Sequence, residues 1–254
     1  MTSVKDIPKS QGVRRLTLRD QAPTCRIVIN APLYDLATIC AGKKVVDIGC
    51  GHGRNRPIVE AAGGEWVGVE PFEGGAHTVL GSAESLPFAA DTFDIAIMDA
   101  VLEHVPNVEK SFSEVGRVLR PGGLFIGYVA FMECFHEISY CHLSFKALEN
   151  YAAVNGMLLI GVAGGESFGF DYNFRVLFYP LPTRLLQRCI AICVRSLLSL
   201  KSAAAYVALR MGRRKPHAEA LEMARLYYKL ECLRQSCGFS FIIEKPLIGA
   251  APCP

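Results

Sequence analysis

Residues 44–55, KVVDIGCGHGRN, place an acid at the end of an apolar run and three glycines at alternate positions directly after it. Glycine allows the backbone to turn with positive φ and lets a ligand approach the main chain closely, so Gly49, Gly51 and Gly53 predict a ligand-binding turn. The spacing is GxGxG, and not the GxGxxG of dinucleotide-binding turns. Asp47 suits a ligand with positive charge, such as an ammonium or a sulfonium, better than a pyrophosphate.

A second acid, Glu70, ends the next apolar run, EWVGVE at residues 65–70. A carboxylate at the end of a strand can accept hydrogen bonds from both hydroxyls of a ribose. Asp47 and Glu70 together therefore predict a ligand in which a nucleoside is joined to a cationic amino acid.

The elements that must hold these residues alternate between apolar runs of strand length and segments of helix length, which is typical of an α/β sheet with parallel strands. Strands are predicted at residues 44–49, 65–70, 77–81, 93–99, 123–130, 157–163 and 239–246. Helices are predicted at residues 25–40, 56–62, 108–119 and 144–154. Between residues 164 and 238 a loop with aromatic patches and two long helical stretches predict an insertion before the last strand.

Composition narrows the class of protein. The 254 residues, 51% of them apolar, are enough for a full hydrophobic core, and a net charge of +3 is too small to predict a nucleic-acid partner. The chain has neither a signal-like N-terminus nor a run of about 18 uncharged apolar residues, so it is predicted to be neither secreted nor membrane-spanning. Its ten cysteines include no CxxC and predict buried thiols in a reducing cytoplasm.

Several motifs, in the correct order, resemble those of the class I S-adenosylmethionine-dependent methyltransferases, in particular the methyltransferase type 11 branch. The resemblance covers roughly residues 43–163. The quoted stretches are VVDIGCGHGRN for the glycine-rich motif, WVGVEP for the ribose-binding acid, GSAESLPFAADTFDIAIMDAVLEHV for the adenine loop and fourth strand, and RVLRPGGLFIG for the turn into the fifth.

The resemblance implies a Rossmann-like, seven-stranded, mostly parallel sheet flanked by helices, with a helical insertion before the last strand. It also implies a division of the chain into four parts. These are an N-terminal segment and cap helix at 1–42, an S-adenosylmethionine-binding core at 43–163, the insertion at 164–238, and the last strand with the C-terminal tail at 239–254.

Cofactor contacts implied by the resemblance fall first on the glycine motif and on the two acids. Asp47, Gly49 and Gly51 match the positions that hold the methionine part of S-adenosylmethionine. Gly53 matches a position where many relatives tolerate another small residue. Glu70 matches the acid that binds the ribose.

The remaining implied contacts depart in part from the family pattern. Relatives usually have an acid at the position of Ser82 to meet the adenine amine, so here that contact is left to the Ser82 hydroxyl, the Ala83 backbone or Glu84. Asp99 matches a position that lines the methionine and methyl end of the site. His104 matches a position common in this branch, where a role in helix packing or capping is favoured over catalysis.

A methyl acceptor with a hydroxyl group also needs a base, because its proton must leave. The segment after the fifth strand, FMECFHEISYCHLS at residues 131–144, would overhang the methyl group, and His136 and His142 are the candidate bases. A solvated or hydrogen-bonded loop histidine is the ordinary alternative for each. The spacing of Glu133, His136 and His142 fits no metal-site template, so no metal is predicted.

The stretch FHEISYCHLS also resembles, more weakly, the corresponding loop of type 11 methyltransferases associated with cell-surface polysaccharide synthesis. This resemblance implies a sugar hydroxyl of a glycan or glycan precursor as the acceptor. Two alternatives stay open. The acceptor could be a quinone or another prenylated or small molecule, or the protein could be a non-catalytic, cofactor-binding partner subunit.

Residues 183–215 hold eight basic residues and no acid. At about 100° per residue, Arg184, Arg188 and Arg195 fall in one stripe of a predicted helix. The opposite face gathers Leu186, Ile190, Cys193, Leu197 and Leu200. Such a helix is predicted either to bury its apolar face against protein, as a lid or in a homodimer, or to lie in an anionic membrane surface, which would make a cytoplasmic protein peripheral at the inner membrane face.

Overall fold

The computed structural model describes residues 22–29, 31–132, 138–164 and 184–247, which form an α/β fold around one eight-stranded sheet. The strands are β1 (Arg26–Val28), β2 (Lys44–Ile48), β3 (Glu65–Glu70), β4 (Val79–Leu80), β5 (Phe93–Asp99), β6 (Leu119–Ala130), β7 (Leu158–Gly164) and β8 (Gly238–Glu244). The helices are α1 (Leu36–Cys40), α2 (Arg56–Ala61), α3 (Val108–Val118), α4 (Phe145–Val154), α5 (Arg184–Met211) and α6 (His217–Arg234), with a 3₁₀ turn at Leu102–His104.

The strand order is β1-β7-β8-β6-β5-β2-β3-β4. Strand β8 is antiparallel to both of its neighbours, β6 and β7, and every other pair is parallel. Because parallel strands end at the same edge of a sheet, the carboxyl ends of β2, β3 and β5 lie side by side. The predicted α/β class and mostly parallel sheet are confirmed.

The eighth strand, β1, corrects one prediction. A helix was predicted over residues 25–40, but Arg26–Val28 pairs in parallel with β7, Arg26 opposite Gly161, and the helix covers only Leu36–Cys40. The run Arg26–Val28 includes two β-branched residues, and Pro32 cannot continue a helix that begins upstream of it. Asp35 then starts α1 by accepting a hydrogen bond from the Thr38 amide at 3.1 Å.

The core lies on both faces of the sheet. On one face Phe112 of α3 packs edge-on against Phe125 of β6, with ring centroids 5.3 Å apart, and Phe125 packs in the same way against Phe241 of β8. On the other face Cys40 and Val59, from α1 and α2, are fully buried in a second cluster. Burial of each large apolar side chain stabilises the fold by about 1.5–3 kcal/mol, so both layers hold the strand ends in place.

Helices α5 and α6 pack against each other, and α6 also packs on the sheet through Leu230. Lys201 Nζ lies 2.9 Å from Glu231 Oε2, and the Ser202 hydroxyl donates a hydrogen bond of 2.7 Å to the Ala224 carbonyl. Leu198 is 5% exposed in the cluster that these helices share. The two helices therefore form a hairpin that leads directly into β8.

The surface of α5 turned away from α6, which we call the outer face, is apolar and exposed. Its members are Leu185, Leu186, Cys189, Ile192, Cys193, Leu197, Leu200, Val207 and Met211. The residues that the structure describes thus leave the predicted apolar face uncovered, apart from Ile190, which is half-buried. Cys189 and Cys193 are exposed, so the prediction that the thiols are buried is wrong for these two.

One described helix segment, Arg188–Met211, is long and apolar enough to cross a membrane by length and composition, and 11% of its most apolar window is buried. This segment contains no run of about 18 uncharged apolar residues, because basic residues such as Arg195 interrupt the apolar sequence. Length and composition alone do not show that a helix lies in a membrane. The packing of α5 against other parts of the chain must also be considered.

Candidate functional site

The glycine motif forms the turn between β2 and α2. Gly49 and Gly51 both have positive φ, +69° and +50°, a conformation that glycine adopts without strain. A Cβ atom added to Gly49 would lie 2.6 Å from Val101 Cγ2, whereas one added to Gly51 would meet no atom within 4 Å. Gly49 is thus needed for packing, and Gly51 borders open space in which a ligand can contact the main chain.

Glu70 is held against this turn. The Gly51 amide donates a hydrogen bond of 2.8 Å to Glu70 Oε2, which places the carboxylate at the end of β3 beside the open space. The Gly51 carbonyl accepts a hydrogen bond of 2.8 Å from the Ala76 amide, which fixes the other side of the turn. Phe72, two residues beyond Glu70, exposes 74% of its surface. The structure therefore brings the second acid to the glycine turn, and an exposed aromatic residue follows that acid by two positions.

Asp47 lies beneath the turn and is 2% exposed. It accepts hydrogen bonds from Trp66 Nε1 at 3.1 Å and from Asn55 Nδ2 at 3.3 Å. Burial raises the pKa of the Asp47 carboxyl from its ordinary value of 3.8 to about 6, although these two hydrogen bonds act in the opposite direction. The side chain predicted to meet a cationic ligand thus also anchors the turn through two protein donors.

Asp99, at the end of β5, forms an ion pair with Arg54 of the glycine turn. The Arg54 side chain is 76% exposed and that of Asp99 31%, so both remain accessible to a ligand. Tyr34 lies nearby: burial and the charge of Asp99 raise the pKa of its hydroxyl above the ordinary value. Sequence reasoning missed Arg54 and Tyr34, although the position of Arg54 directly after Gly53 was a usable signal.

The loop predicted to meet adenine is partly occupied by its own contacts. The Glu84 amide donates to the Ser82 hydroxyl at 3.1 Å, and Glu84 Oε1 accepts a hydrogen bond of 2.7 Å from the Asn107 amide, just before α3. Ala83 is buried. Of the three residues predicted here, the exposed Ser82 is the most accessible side chain, and Glu84 holds the start of α3.

Residues 138–144 pass over the 3₁₀ turn that follows β5. His104 Nδ1 lies 2.9 Å from the Ile138 carbonyl, and the Tyr140 amide donates a hydrogen bond of 2.7 Å to the Glu103 carbonyl. The Nε2 atom of His142 is buried without a hydrogen-bond partner among the described residues. His104 thus makes a polar contact with this loop, and His142 keeps a ring nitrogen that no described residue engages.

Beneath the turn, Glu103 is 1% exposed, and its Oε1 accepts a hydrogen bond of 3.2 Å from the Ala130 amide at the end of β6. Glu103 is not among the residues predicted for the site. Its side chain ties the 3₁₀ turn to β6 while its carbonyl holds the loop at Tyr140, so it positions the segment that carries His142.

A cavity of about 230 Å³ opens beside this loop. Its lining is apolar except for Ser144 and Arg234, and consists of Phe131, Ser144, Phe145, Val162, Leu230, Leu233, Arg234 and Phe239. Phe131 directly follows β6, and Leu230 and Leu233 belong to α6. The loop at 138–144 therefore lies over the 3₁₀ turn that follows β5 and leads to an apolar cavity walled in part by α6.

Two predicted residues, Glu133 and His136, lie outside the described residues. Within the described ranges, no group of three or more His, Cys, Asp or Glu side chains could hold a metal ion.

Comparison with known proteins places the glycine turn and the strands around it in a family. Residues 46–127 match the model of the Methyltransferase domain. A protein of Mycolicibacterium paratuberculosis called an uncharacterized methyltransferase is 35% identical over 133 residues, covering 46% of this chain and 52% of that protein. One of Mycobacterium marinum is 34% identical over 152 residues, covering 53% of this chain and 60% of the relative.

The aligned part of this chain spans about half the length of these curated relatives. Squalene methyltransferase 1 of Botryococcus braunii is 36% identical over 105 residues, covering 34% of this chain and 28% of that enzyme. Among solved structures, a protein described as a methyltransferase, in complex with the Haloferax volcanii Trm112 methyltransferase activator, has a TM-score of 0.50 at 14% identity over 81% of this chain and 83% of its own, a likeness in fold alone. Residues 46–127 are therefore a methyltransferase domain, in agreement with the predicted class I S-adenosylmethionine-dependent family.

Proposed function

We propose that the whole protein is an enzyme that transfers a methyl group from S-adenosylmethionine to an acceptor with a large apolar part. The observation that carries the methyl transfer is the open space over Gly51 beside Glu70, within the segment that matches the methyltransferase family. Glycine at the closest approach and a strand-end acid suit the amino-acid and ribose parts of this cofactor.

S-adenosylmethionine supplies a methyl group on a sulfonium, which is already a strong electrophile. The chain's own residues then act mainly by position. The main chain at Gly51 would hold the methionine part, Glu70 would accept hydrogen bonds from the ribose hydroxyls, and Phe72 would cover the base. Arg54 would donate to the cofactor's carboxylate, and Asp99 would line the reacting end.

For a hydroxyl acceptor, His142 takes the proton through its buried Nε2, which has no described hydrogen-bond partner. Glu103 and His104 hold the loop that carries His142 and do not touch the acceptor. His136 remains the second candidate base. The loop thus positions the base that takes the proton, and the cofactor provides the electrophilic methyl group.

The cavity beside the loop favours the apolar class of acceptor. A lining of phenylalanine, valine and leucine side chains binds a hydrocarbon chain by removing its apolar surface from water. The match to a squalene methyltransferase agrees with this choice, since squalene is a hydrocarbon. A prenylated molecule is therefore preferred over a free sugar, and a glycan precursor remains a candidate only where its hydroxyl is attached to a lipid.

Thermal unfolding tests the cofactor. S-adenosylmethionine and S-adenosylhomocysteine should raise the Tm, because a ligand that binds only the folded state stabilises it by mass action, while NAD should leave the Tm unchanged. An equal shift with NAD would remove the cofactor assignment.

Transfer of a labelled methyl group tests the acceptor. Label from S-adenosylmethionine should enter a prenyl-lipid extract and not a water-soluble glycan fraction. Incorporation into free glycans would restore the sugar acceptor. Cofactor binding without transfer to lipid, glycan or small-molecule extracts would identify a non-catalytic partner subunit.

A further inference from the structure

We propose that the outer face of α5 docks on an anionic lipid membrane, with the helix lying in the plane of the bilayer surface. This inference is independent of the chemistry of the methyl acceptor. The helix has 28 residues, so its outer face extends for about 42 Å at 1.5 Å per residue. Leu185, Leu200 and Met211 expose 77%, 67% and 78% of their surfaces along this length. A continuous apolar surface of this kind marks an interaction site.

Charge identifies the partner. Between residues 184 and 215 the chain has eight basic residues and no acid. At about 100° per residue, Arg188 and Arg210 lie along one border of the outer face, and Arg213 and Arg214 follow the end of the helix, with all four side chains exposed. An apolar face bordered by basic side chains is the pattern that buries into the interface of an anionic membrane, where each basic residue adds attraction.

A second copy of this chain fits the outer face less well. In a two-fold symmetric contact the same surface meets itself, so the basic border would face basic residues with no acid from α5 between them. Two of the three acids of α6 are ion-paired with basic residues of this hairpin: Glu231 pairs with Lys201, and Glu219 pairs with Lys215. An anionic headgroup layer supplies the negative charge that α5 itself lacks.

The packing of α5 also argues against a spanning orientation. The inner face of α5 is held by the Lys201–Glu231 ion pair and by the hydrogen bond from Ser202 to Ala224. Insertion of α5 across the bilayer would carry α6, with its charged side chains, into the hydrocarbon, and each charge there costs about 2.5–3.5 kcal/mol. Because α6 leads into a strand between β6 and β7, it cannot separate from the sheet, so the outer face alone can enter the membrane.

This orientation places the apolar cavity close to the bilayer. Helix α6 contributes Leu230 and Leu233 to the cavity wall and packs against α5 through its neighbouring residue Glu231. An acceptor with a hydrocarbon chain could therefore pass from the lipid to the cavity across a single helix layer.

Co-sedimentation with vesicles tests the proposal. The full chain should sediment with vesicles of phosphatidylcholine and phosphatidylglycerol, sediment less as the salt concentration rises, and stay in the supernatant with phosphatidylcholine alone. Leu200→Glu should lower the partition coefficient at least about tenfold, because it places a charge in the middle of the outer face. Its control, Val154→Glu, adds the same charge at a position of α4 that is 62% exposed, and should bind as the wild type does.

A second set of variants tests the basic border. Replacement of Arg188, Arg210 and Arg213 by glutamine should lower the partition coefficient by about fivefold for each residue and flatten the salt dependence. Circular dichroism should show that all of these variants remain folded, since every altered side chain is exposed.

Three results would overturn the proposal. The wild-type protein could remain in the supernatant with anionic vesicles at low salt. It could instead form a dimer, measured by sedimentation equilibrium, that Leu200→Glu dissociates. Finally, binding that survives high salt and alkaline carbonate, and yields only to detergent, would indicate a spanning helix. None of these results depends on methyl transfer, so failure here leaves the proposed activity untouched.

Discussion

The sheet with its covering helices and the α5–α6 hairpin solve the burial of apolar side chains in different ways. In the sheet, strands such as β5 are covered on both faces, and Phe112, Phe125 and Phe241 are fully buried. In the hairpin, α5 buries Leu198 on its inner side and leaves its neighbour Leu197 58% exposed. An apolar side chain in the sheet therefore stabilises the fold. On α5, a side chain on the inner face stabilises the fold, whereas one on the outer face is available to a partner.

The largest expected effect falls on the sheet side of this comparison, at the glycine turn. Gly51→Val should abolish binding of S-adenosylmethionine, measured by calorimetry, because the branched side chain fills the space where the ligand approaches the main chain. Gly51→Ala should weaken binding in the same direction.

Gly63→Ala is the matched control for Gly51→Ala. Gly63 also has positive φ, +77°, and a Cβ there would meet no atom within 4 Å, so both variants introduce similar backbone strain. Equal cofactor affinity in the two alanine variants would show that the turn at Gly51 has only a structural role.

A smaller effect is expected where the sheet meets the hairpin, at the loop that carries the candidate base. If His142 accepts the proton of a hydroxyl acceptor, His142→Ala should lower kcat by about 10²–10⁴-fold and leave cofactor affinity unchanged. His136→Ala is tested in parallel, because the same role was predicted for it. Unchanged turnover in both variants would remove histidine from the mechanism.

The next effect concerns the Asp47 carboxyl, which the sheet buries beneath the glycine turn. The folded-state pKa of Asp47, about 6, lies above its ordinary value of 3.8, so the folded protein binds this proton more tightly than the unfolded chain does. The free energy of unfolding should therefore fall as pH rises from about 4 to about 6, by about 3 kcal/mol in total.

Asp47→Asn removes this penalty in the cofactor-free protein. Urea unfolding should show the variant to be about 3 kcal/mol more stable than the wild type at pH 7.5 and nearly equal to it below pH 4. Glu73→Gln, at an exposed acid, should change stability at neither pH. A constant difference between Asp47→Asn and wild type across this range would contradict the raised pKa.

The smallest effect sharpens the contrast within α5 itself. Leu198→Ala should destabilise the fold by about 2 kcal/mol because it leaves a cavity against α6, and Leu197→Ala should change stability by less than about 0.5 kcal/mol. The same pair should show the reverse order in vesicle binding, where Leu197→Ala removes an outer-face contact. Similar unfolding free energies for the two variants would show that the inner face is not packed as described.

The sequence predicts those strands whose formation follows from the local pattern of apolar residues. Strands β2, β3 and β5 are predicted from their apolar runs, and the structure places Asp47, Glu70 and Asp99 at or next to the carboxyl ends of these strands. Strand β1 was missed because three residues on a sheet edge give a weaker signal than the surrounding helical pattern. Its pairing with β7 comes from tertiary contacts that no local sequence records.

The candidate site was predictable to the same extent. The acids and glycines follow from spacing, but the ion pair between Arg54 and Asp99 depends on how the turn folds back over β5. In the hairpin, periodicity identified an apolar stripe on α5 without showing that α6 would cover the other side. Helical periodicity identifies which residues share a face of the helix, but it does not identify the element that packs against that face.

The position of β8 has a consequence for how the chain is made. This strand joins β6, where Phe125 lies opposite Ile243, to β7, where Leu159 lies opposite the same residue. Until the ribosome has delivered both hairpin helices and then β8, the nascent sheet exists as two pieces, each with an unpaired apolar edge. Such long-range pairing is slow, and an unpaired strand edge can pair with another chain. The edges of β6 and β7 therefore need protection from association until β8 has been synthesised.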